Sequence, residues 1–166
     1  SELDSVERNV PFWVKMPHLY DLKQFDSLLK VIVEYNIQGV TVANLIKDRT
    51  KVDLKDPLTD DIRGGLSGEP TRTHSLELIK HTYKNYGDKL TIIGVGGVFS
   101  AEDAYAKIKA GASLVGLITG LFFEGPQLIG RINRELSQLL KNDGFSSISE
   151  AIGADFNKKQ KKSKKL

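Results

Sequence analysis

The sequence predicts an α/β fold in which a parallel sheet is built from about four consecutive β-α units joined by right-handed crossovers. Three observations carry this. Short apolar runs alternate with amphipathic stretches along the chain. The runs are rich in Val, Ile, Leu or Thr without strict alternation, the pattern of strands covered on both faces. Glycines or capping residues stand at most of the joints.

The strand runs are residues 10–16, 39–43, 90–95 and 114–119. Between the first two, residues 22–36 place Leu22, Phe25, Leu28, Leu29, Ile32 and Val33 at helical spacing, with Asn36 and Gly39 marking the end. Residues 75–86 carry Leu76, Ile79 and Tyr83 on one face, and Gly87 stops that helix. Ser100-Ala-Glu-Asp103 reads as a cap for a helix over 101–110, with Gly111 just past its end. Pro126 opens a longer helix carrying Ile129, Ile132, Leu136, Leu139 and Leu140, and a last short helix covers 147–152. This order fits a four-stranded doubly wound sheet, and equally four of the eight units of a (β/α)8 barrel. Residues 45–74 show little periodicity, and a loop of that length leaving the C-terminal end of a strand is expected to be functional.

Composition excludes several chemistries. The 166 residues suffice for one domain core and contain no apolar run long enough to span a bilayer. No cysteine is present, so thiol nucleophiles, disulfides and metal-thiolate sites are out. His18, His74 and His81 form no zinc-protease spacing, and no metal site is expected. The net charge of +3 belongs to the end of the chain: residues 158–166 hold six lysines, and without them 18 basic residues face 21 acidic ones. The domain is thus expected over 1–156, with 157–166 a disordered, solvated Lys-rich tail. No basic stripe with interleaved aromatics predicts a nucleic-acid partner. The chain opens at Ser1 without a signal peptide, which reads as a removed leader or as part of a longer protein.

Four places could carry chemistry. Ile92-Ile-Gly-Val-Gly-Gly-Val98 closes a strand ahead of the Ser100 cap, and its glycines let the backbone approach a ligand with N–H groups suited to phosphate oxygens. It has neither the dinucleotide-fold spacing nor a P-loop ending. One unit later, Thr119 and Gly120 sit where the next strand run ends. Loops after two consecutive final strands of a barrel commonly form a phosphate site, so the pair points to a phosphorylated ligand. Gly64-Gly-Leu-Ser-Gly68 reads as a backbone that lies flat against a ring, or as a flexible linker. Lys15 and Asn44 end the first two strand runs; a cation there would stabilise a reduced electron-accepting ring, and the amide suits an imide or carboxylate.

Taken in order, these pieces resemble the C-terminal half of the dihydroorotate dehydrogenases, most closely the quinone-linked, membrane-associated class. The resemblance runs from about Val10 to Asp155. It rests on Val-Lys15, Gly39-Val-Thr-Val-Ala-Asn44, Gly64-Gly-Leu-Ser-Gly-Glu-Pro70, Ile92-Ile-Gly-Val-Gly-Gly97, Lys107-Ile-Lys-Ala-Gly-Ala-Ser-Leu114 and Ala151-Ile-Gly-Ala-Asp155. After Lys15 the chain reads Met16-Pro17-His18 where the family usually has a slightly longer stretch ending in Pro-Asp.

The resemblance implies the C-terminal half, about four βα units, of a TIM (β/α)8 barrel holding FMN. Such an enzyme oxidises dihydroorotate to orotate in pyrimidine synthesis and passes electrons to quinone. Lys15 would contact the flavin ring, Asn44 would bind the substrate, Ser67 and Gly68 would lie against the flavin, and Gly96, Gly97, Thr119 and Gly120 would hold its phosphate. The catalytic base, a serine in this class, and the quinone contacts are expected upstream of Ser1, so this chain alone would be soluble and inactive. The intact enzyme would associate with a bacterial cytoplasmic or mitochondrial inner membrane. A fragment of a cytosolic-class enzyme, and a non-catalytic FMN or phosphate module that self-associates through its open strand edges, are the alternatives.

Overall fold

The computed structural model describes residues 10–56, 58–59 and 61–156. The Lys-rich tail therefore lies outside the described residues. Four strands, β1 (Trp13–Lys15), β2 (Gly39–Val42), β3 (Thr91–Val95) and β4 (Leu114–Gly116), pair in chain order and all in parallel. The register sets Lys15 beside Thr41, Val42 beside Gly94 and Val95 beside Gly116. A doubly wound sheet reverses strand order at its switch point; strictly sequential order belongs to a barrel wall.

Helix α1 (Leu22–Glu34) connects β1 to β2. Its N-cap is Asp21, whose carboxylate accepts the Lys23 N–H at 2.8 Å. Phe25, Leu29 and Ile32 bury against the sheet, while Leu22 and Leu28 stay exposed. Helix α2 (Arg72–Tyr86) starts three residues before the expected position. Ser75 is not its cap: its hydroxyl turns inward, and a 3-10 turn over Glu69–Thr71 runs directly into the helix. Helix α3 (Ala101–Lys109) begins where expected, with Ser100 Oγ accepting the Asp103 N–H.

Strand β4 ends three residues early. A short helix α4 (Thr119–Glu124) occupies the stretch read as its end, so Thr119 opens a helix instead of closing a strand. Pro126 leads into α5 (Gln127–Asn142), and α6 (Ile148–Ala151) follows. On α5 the inward residues are Leu128, Ile132, Leu136 and Leu140; Ile129, expected in the core, is half exposed.

The main core lies between the sheet and α1 and α2, formed by Phe25, Leu29, Val40, Val42, Leu78, Ile79 and Ile92. Each such fully buried side chain contributes about 1.5–3 kcal/mol. Two smaller clusters join α3, α5 and β4. The sheet's helix-facing side is thus dry. The expectation of cover on both faces fails for the other side, where Thr41, Ile93 and Val95 are only partly buried. At the two edges Trp13, Val14 and Leu114 are exposed. That is the pattern of a barrel wall whose inner face meets strands beyond these four.

Candidate functional site

The C-terminal ends of the four strands converge on one cleft of about 140 Å³. Small-molecule pockets run to roughly 300–1,000 Å³, so these residues enclose part of a ligand, not a whole drug-sized one. All eight residues singled out above line it: Lys15, Asn44, Ser67, Gly68, Gly96, Gly97, Thr119 and Gly120.

The glycine turn after β3 brings bare backbone to the cleft, with no side chain of its own reaching in. Gly96 and Gly97 have φ of +111° and +64°, conformations that disfavour any other residue. Behind the turn, the Gly97 carbonyl accepts Arg72 Nε at 3.1 Å, and Ser75 Oγ lies 3.4 Å from the Gly96 carbonyl. The carbonyl and the following N–H of a trans peptide point in opposite directions. Drawing both carbonyls back onto α2 therefore turns the Gly97 and Val98 N–H groups toward the cleft. Neither N–H has a hydrogen-bond partner among the described residues, nor do those of Thr119 and Gly120. Four open amides around one hollow suit phosphate oxygens.

Close packing fixes this shape. A Cβ on Gly96 would lie 2.7 Å from Thr71 Oγ1, and one on Gly120 would run into the Val98 carbonyl oxygen. Asp103 completes the frame. Its carboxylate accepts the Phe99 N–H at 2.9 Å and meets Arg72 Nε at 3.0 Å.

The other wall comes from β1, β2 and the long loop. Lys15 is exposed at the end of β1, with no ion-pair or hydrogen-bond partner among the described residues. The Asn44 N–H donates to the Met16 carbonyl at 2.9 Å, which locks the two strand ends together. Asn44 Oδ1 accepts the Leu45 N–H at 2.8 Å, leaving its amide NH₂ as the free donor. The donor-and-acceptor role read for Asn44 thus narrows mainly to donation. The Gly64–Gly68 run is not a free linker. Ile46 and Leu66 pair as an antiparallel bridge, and Arg49 donates to the carbonyls of Ile62 and Gly64. This pinning returns Ser67 and Gly68 to the cleft, where Thr119 Oγ1 donates to Ser67 Oγ at 3.0 Å.

Arg72, Ser75, Asp103 and Lys107 escaped sequence reasoning. Ser75 stood as the first residue of a helix, Asp103 as part of a cap and Lys107 as the start of a family-like run, none of them with a role at the cleft. The usable signal was Gly94, a glycine inside a strand, which marks a close approach. A Cβ there would lie 3.0 Å from Ala112 Cβ and 3.4 Å from Lys107 Cβ. Among the described residues no group of three or more acidic or histidine side chains could hold a metal ion.

Sequential parallel strands, helices on one face and a cleft at the carboxyl ends define a segment of a (β/α)8 barrel. The family model for dihydroorotate dehydrogenase matches residues 2–140, and the chain belongs to that family. A dihydroorotate dehydrogenase (quinone) of Deinococcus deserti is 40% identical over 156 residues, covering 92% of this chain and 42% of that protein. One from Anaeromyxobacter dehalogenans is 39% identical over 145 residues, covering 87% and 39%. Among solved structures, ligand-free DHODH from Eimeria tenella superposes with a TM-score of 0.78 at 30% identity, covering 86% of this chain and 39% of that one. The chain spans about two-fifths of the length of the relatives it matches. It thus corresponds to about four βα units of a TIM barrel.

Proposed function

We propose that this chain supplies the FMN-phosphate side of a quinone-linked dihydroorotate dehydrogenase, which oxidises dihydroorotate to orotate in pyrimidine synthesis. The observation that carries this reading is the convergence of eight residues from four strand ends on one cleft. Its open amides, its glycine cradle and the Thr119 side chain fit a phosphate monoester, and Lys15 stands free at the opposite wall.

FMN, when bound, supplies the hydride acceptor for dihydroorotate and returns the electrons to quinone. The chain's own residues do the rest of what falls to this half. The amides of Gly97, Val98, Thr119 and Gly120 hold the phosphate. Ser67 and Gly68 lie against the flavin. The Lys15 ammonium faces the ring, where a fixed cation favours negative charge. Asn44 donates through its NH₂ to a carbonyl or carboxylate oxygen of the substrate, oriented by its bond to the Leu45 N–H. No serine of this chain is assigned the role of base; Ser67 is engaged by Thr119. Quinone and membrane contacts belong to parts of the enzyme this chain does not match, and among the described residues no helix is long and apolar enough to cross a membrane.

The test is flavin content after gel filtration. FMN near one per chain, absent after a Gly97→Val change, is the expected result. A folded, colourless wild-type chain that takes up no added FMN would contradict the reading.

A further inference from the structure

Among the described residues Lys107 is the largest buried charged side chain, with only 2% of its surface exposed. It projects from α3 under β3, into the space left by the missing side chain of Gly94. Its Nζ donates to Ser75 Oγ at 2.8 Å, its one hydrogen-bond partner among the described residues. Ser75 Oγ in turn lies 3.1 Å from the Arg72 carbonyl and 3.4 Å from that of Gly96. A hydroxyl carries one hydrogen. Because the ammonium occupies a lone pair, that hydrogen is directed to the two carbonyls behind the glycine turn.

A buried ammonium is costly unless something answers its charge. The charged groups facing Lys107 are Asp103 on its own helix and Arg72 on α2; the titratable ring of His18, ahead of α1, also faces it and is kept neutral by burial. Asp103 is already engaged by Arg72 and by the Phe99 N–H. Glu69, the other partner of Arg72, is mostly exposed, so water screens it. One partly buried acid therefore answers both the half-exposed Arg72 and the buried Lys107 behind the amides of Gly97 and Val98, which leaves the Lys107 charge incompletely neutralised.

We propose that Lys107 is a positioning residue for the anion in this cleft: through Ser75 it holds the Gly96 carbonyl away from the ligand, and its buried charge favours a phosphate dianion at the amides in front. This rests on the phosphate-ligand reading above and adds to it the group that gives the cleft its charge preference. Burial lowers the Lys107 pKa to about 8, so the charge can be removed without unfolding at extreme pH. The charge that answers it is then the ligand's own.

The experiment compares FMN with riboflavin, which has the same ring and no phosphate, by fluorescence quenching on the full chain. The ratio of the two affinities cancels contributions from the ring and from general loss of structure. For the wild type the preference for FMN should fall roughly tenfold between pH 7 and 9.5, as expected for a partly screened charge a few ångströms behind the phosphate. Lys107→Met should show the lower preference at every pH, with no fall. An FMN preference in Lys107→Met equal to the wild type at pH 7, or loss of both ligands in parallel, overturns the proposal while leaving the phosphate reading intact. Should Lys107→Met fail to fold, the wild-type profile decides: an FMN preference that stays flat to pH 9.5 overturns it. A folded wild-type chain that binds neither FMN nor orthophosphate overturns the phosphate reading and this proposal together.

Discussion

Thr119 donates its hydroxyl hydrogen to Ser67 Oγ across 3.0 Å, joining residues 52 positions apart in the chain. The bond ties the long loop after β2 to the start of α4. It also sets Gly68 against the threonine methyl, where a Cβ would lie 2.8 Å from Thr119 Cγ2. Two motifs assigned to different parts of one cofactor are therefore mechanically one unit.

Thr119→Val keeps the shape and removes the hydroxyl. Stability should fall by only about 1 kcal/mol, the net worth of one partly exposed hydrogen bond. FMN affinity should fall more, by roughly tenfold, because with FMN bound Thr119 would turn its one hydroxyl hydrogen from Ser67 to the phosphate, a charge-assisted bond. Thr119→Ser should retain most of it. Urea denaturation and FMN titration of the two variants separate the effects; equal FMN binding by Thr119→Val would remove this side chain from the site.

Glycines in the cleft should differ sharply from a glycine elsewhere with a similar backbone. Gly97 has φ +64°, and a Cβ there would lie 2.6 Å from Arg72 Cα. Gly144 has φ +78° with nothing within 4 Å. Gly144→Ala should cost about 1 kcal/mol, from backbone strain alone. Gly97→Ala adds a collision with α2 and should cost roughly 2–4 kcal/mol in total. Similar unfolding midpoints for the two variants would show that α2 yields easily and that the turn is not rigid.

Much of this was legible in advance, for identifiable reasons. The four strand runs and the α1, α3 and α5 helices follow from local signals: apolar period, Ser100 next to a helix start, Pro126 and the terminal glycines. That the eight residues share one cleft was readable because they are glycines, a serine within a glycine run, or polar residues near the ends of strand runs, where a parallel sheet places its ligands. What stayed hidden depends on distant contacts. Thr119 begins a helix, and Gly120 beside it packs on the Val98 carbonyl, a contact that no local pattern shows. Ser75 and Lys107 lie 32 residues apart, and nothing along the chain signals their pairing. The partly buried inner face of the sheet was misread because a barrel wall and a fully covered sheet share the same apolar runs.

Asp26 on α1 holds α2 in place and should control acid stability. Tyr86 Oη donates to it at 2.9 Å, and His81 Nε2 and Lys30 Nζ lie within 3.2 Å. Partial burial opposes its charge, but the hydrogen bonds from Tyr86, Lys30 and His81 outweigh that and hold its pKa below the usual 3.8. The same contact pushes Tyr86 up to about 12, after burial as the larger cause. A depressed carboxylate stabilises the fold above its unfolded pKa and loses that contribution as pH falls through the folded one. Asp26→Asn should therefore cost about 1–2 kcal/mol at pH 7. The deficit should close below about pH 3.8, as seen in denaturation curves across pH.

His18 should shift stability in the same direction as Asp26, but in a higher pH window. Its ring is buried, both nitrogens lack a partner among the described residues, and His74 lies 4.9 Å away between ring centroids. Burial first, then the positive charges of His74 and Lys107, lowers its pKa to about 4. The unfolded chain binds this proton near 6.5 and the folded chain does not, so stability falls as pH drops from about 6.5 toward 4. Replacing His18 with Phe should remove roughly one proton from the pH dependence in that window. An unchanged slope would mean that the imidazole is protonated in the folded state.

The most direct test of the cleft follows the backbone amides of Gly97, Val98, Thr119 and Gly120 by ¹⁵N NMR during FMN titration. These four should shift together, saturating at one FMN per chain, and riboflavin should leave them largely unmoved while still affecting residues near Lys15 and Ser67. FMN binding that shifts other amides and leaves these four unchanged would contradict the assignment of the phosphate to this cleft.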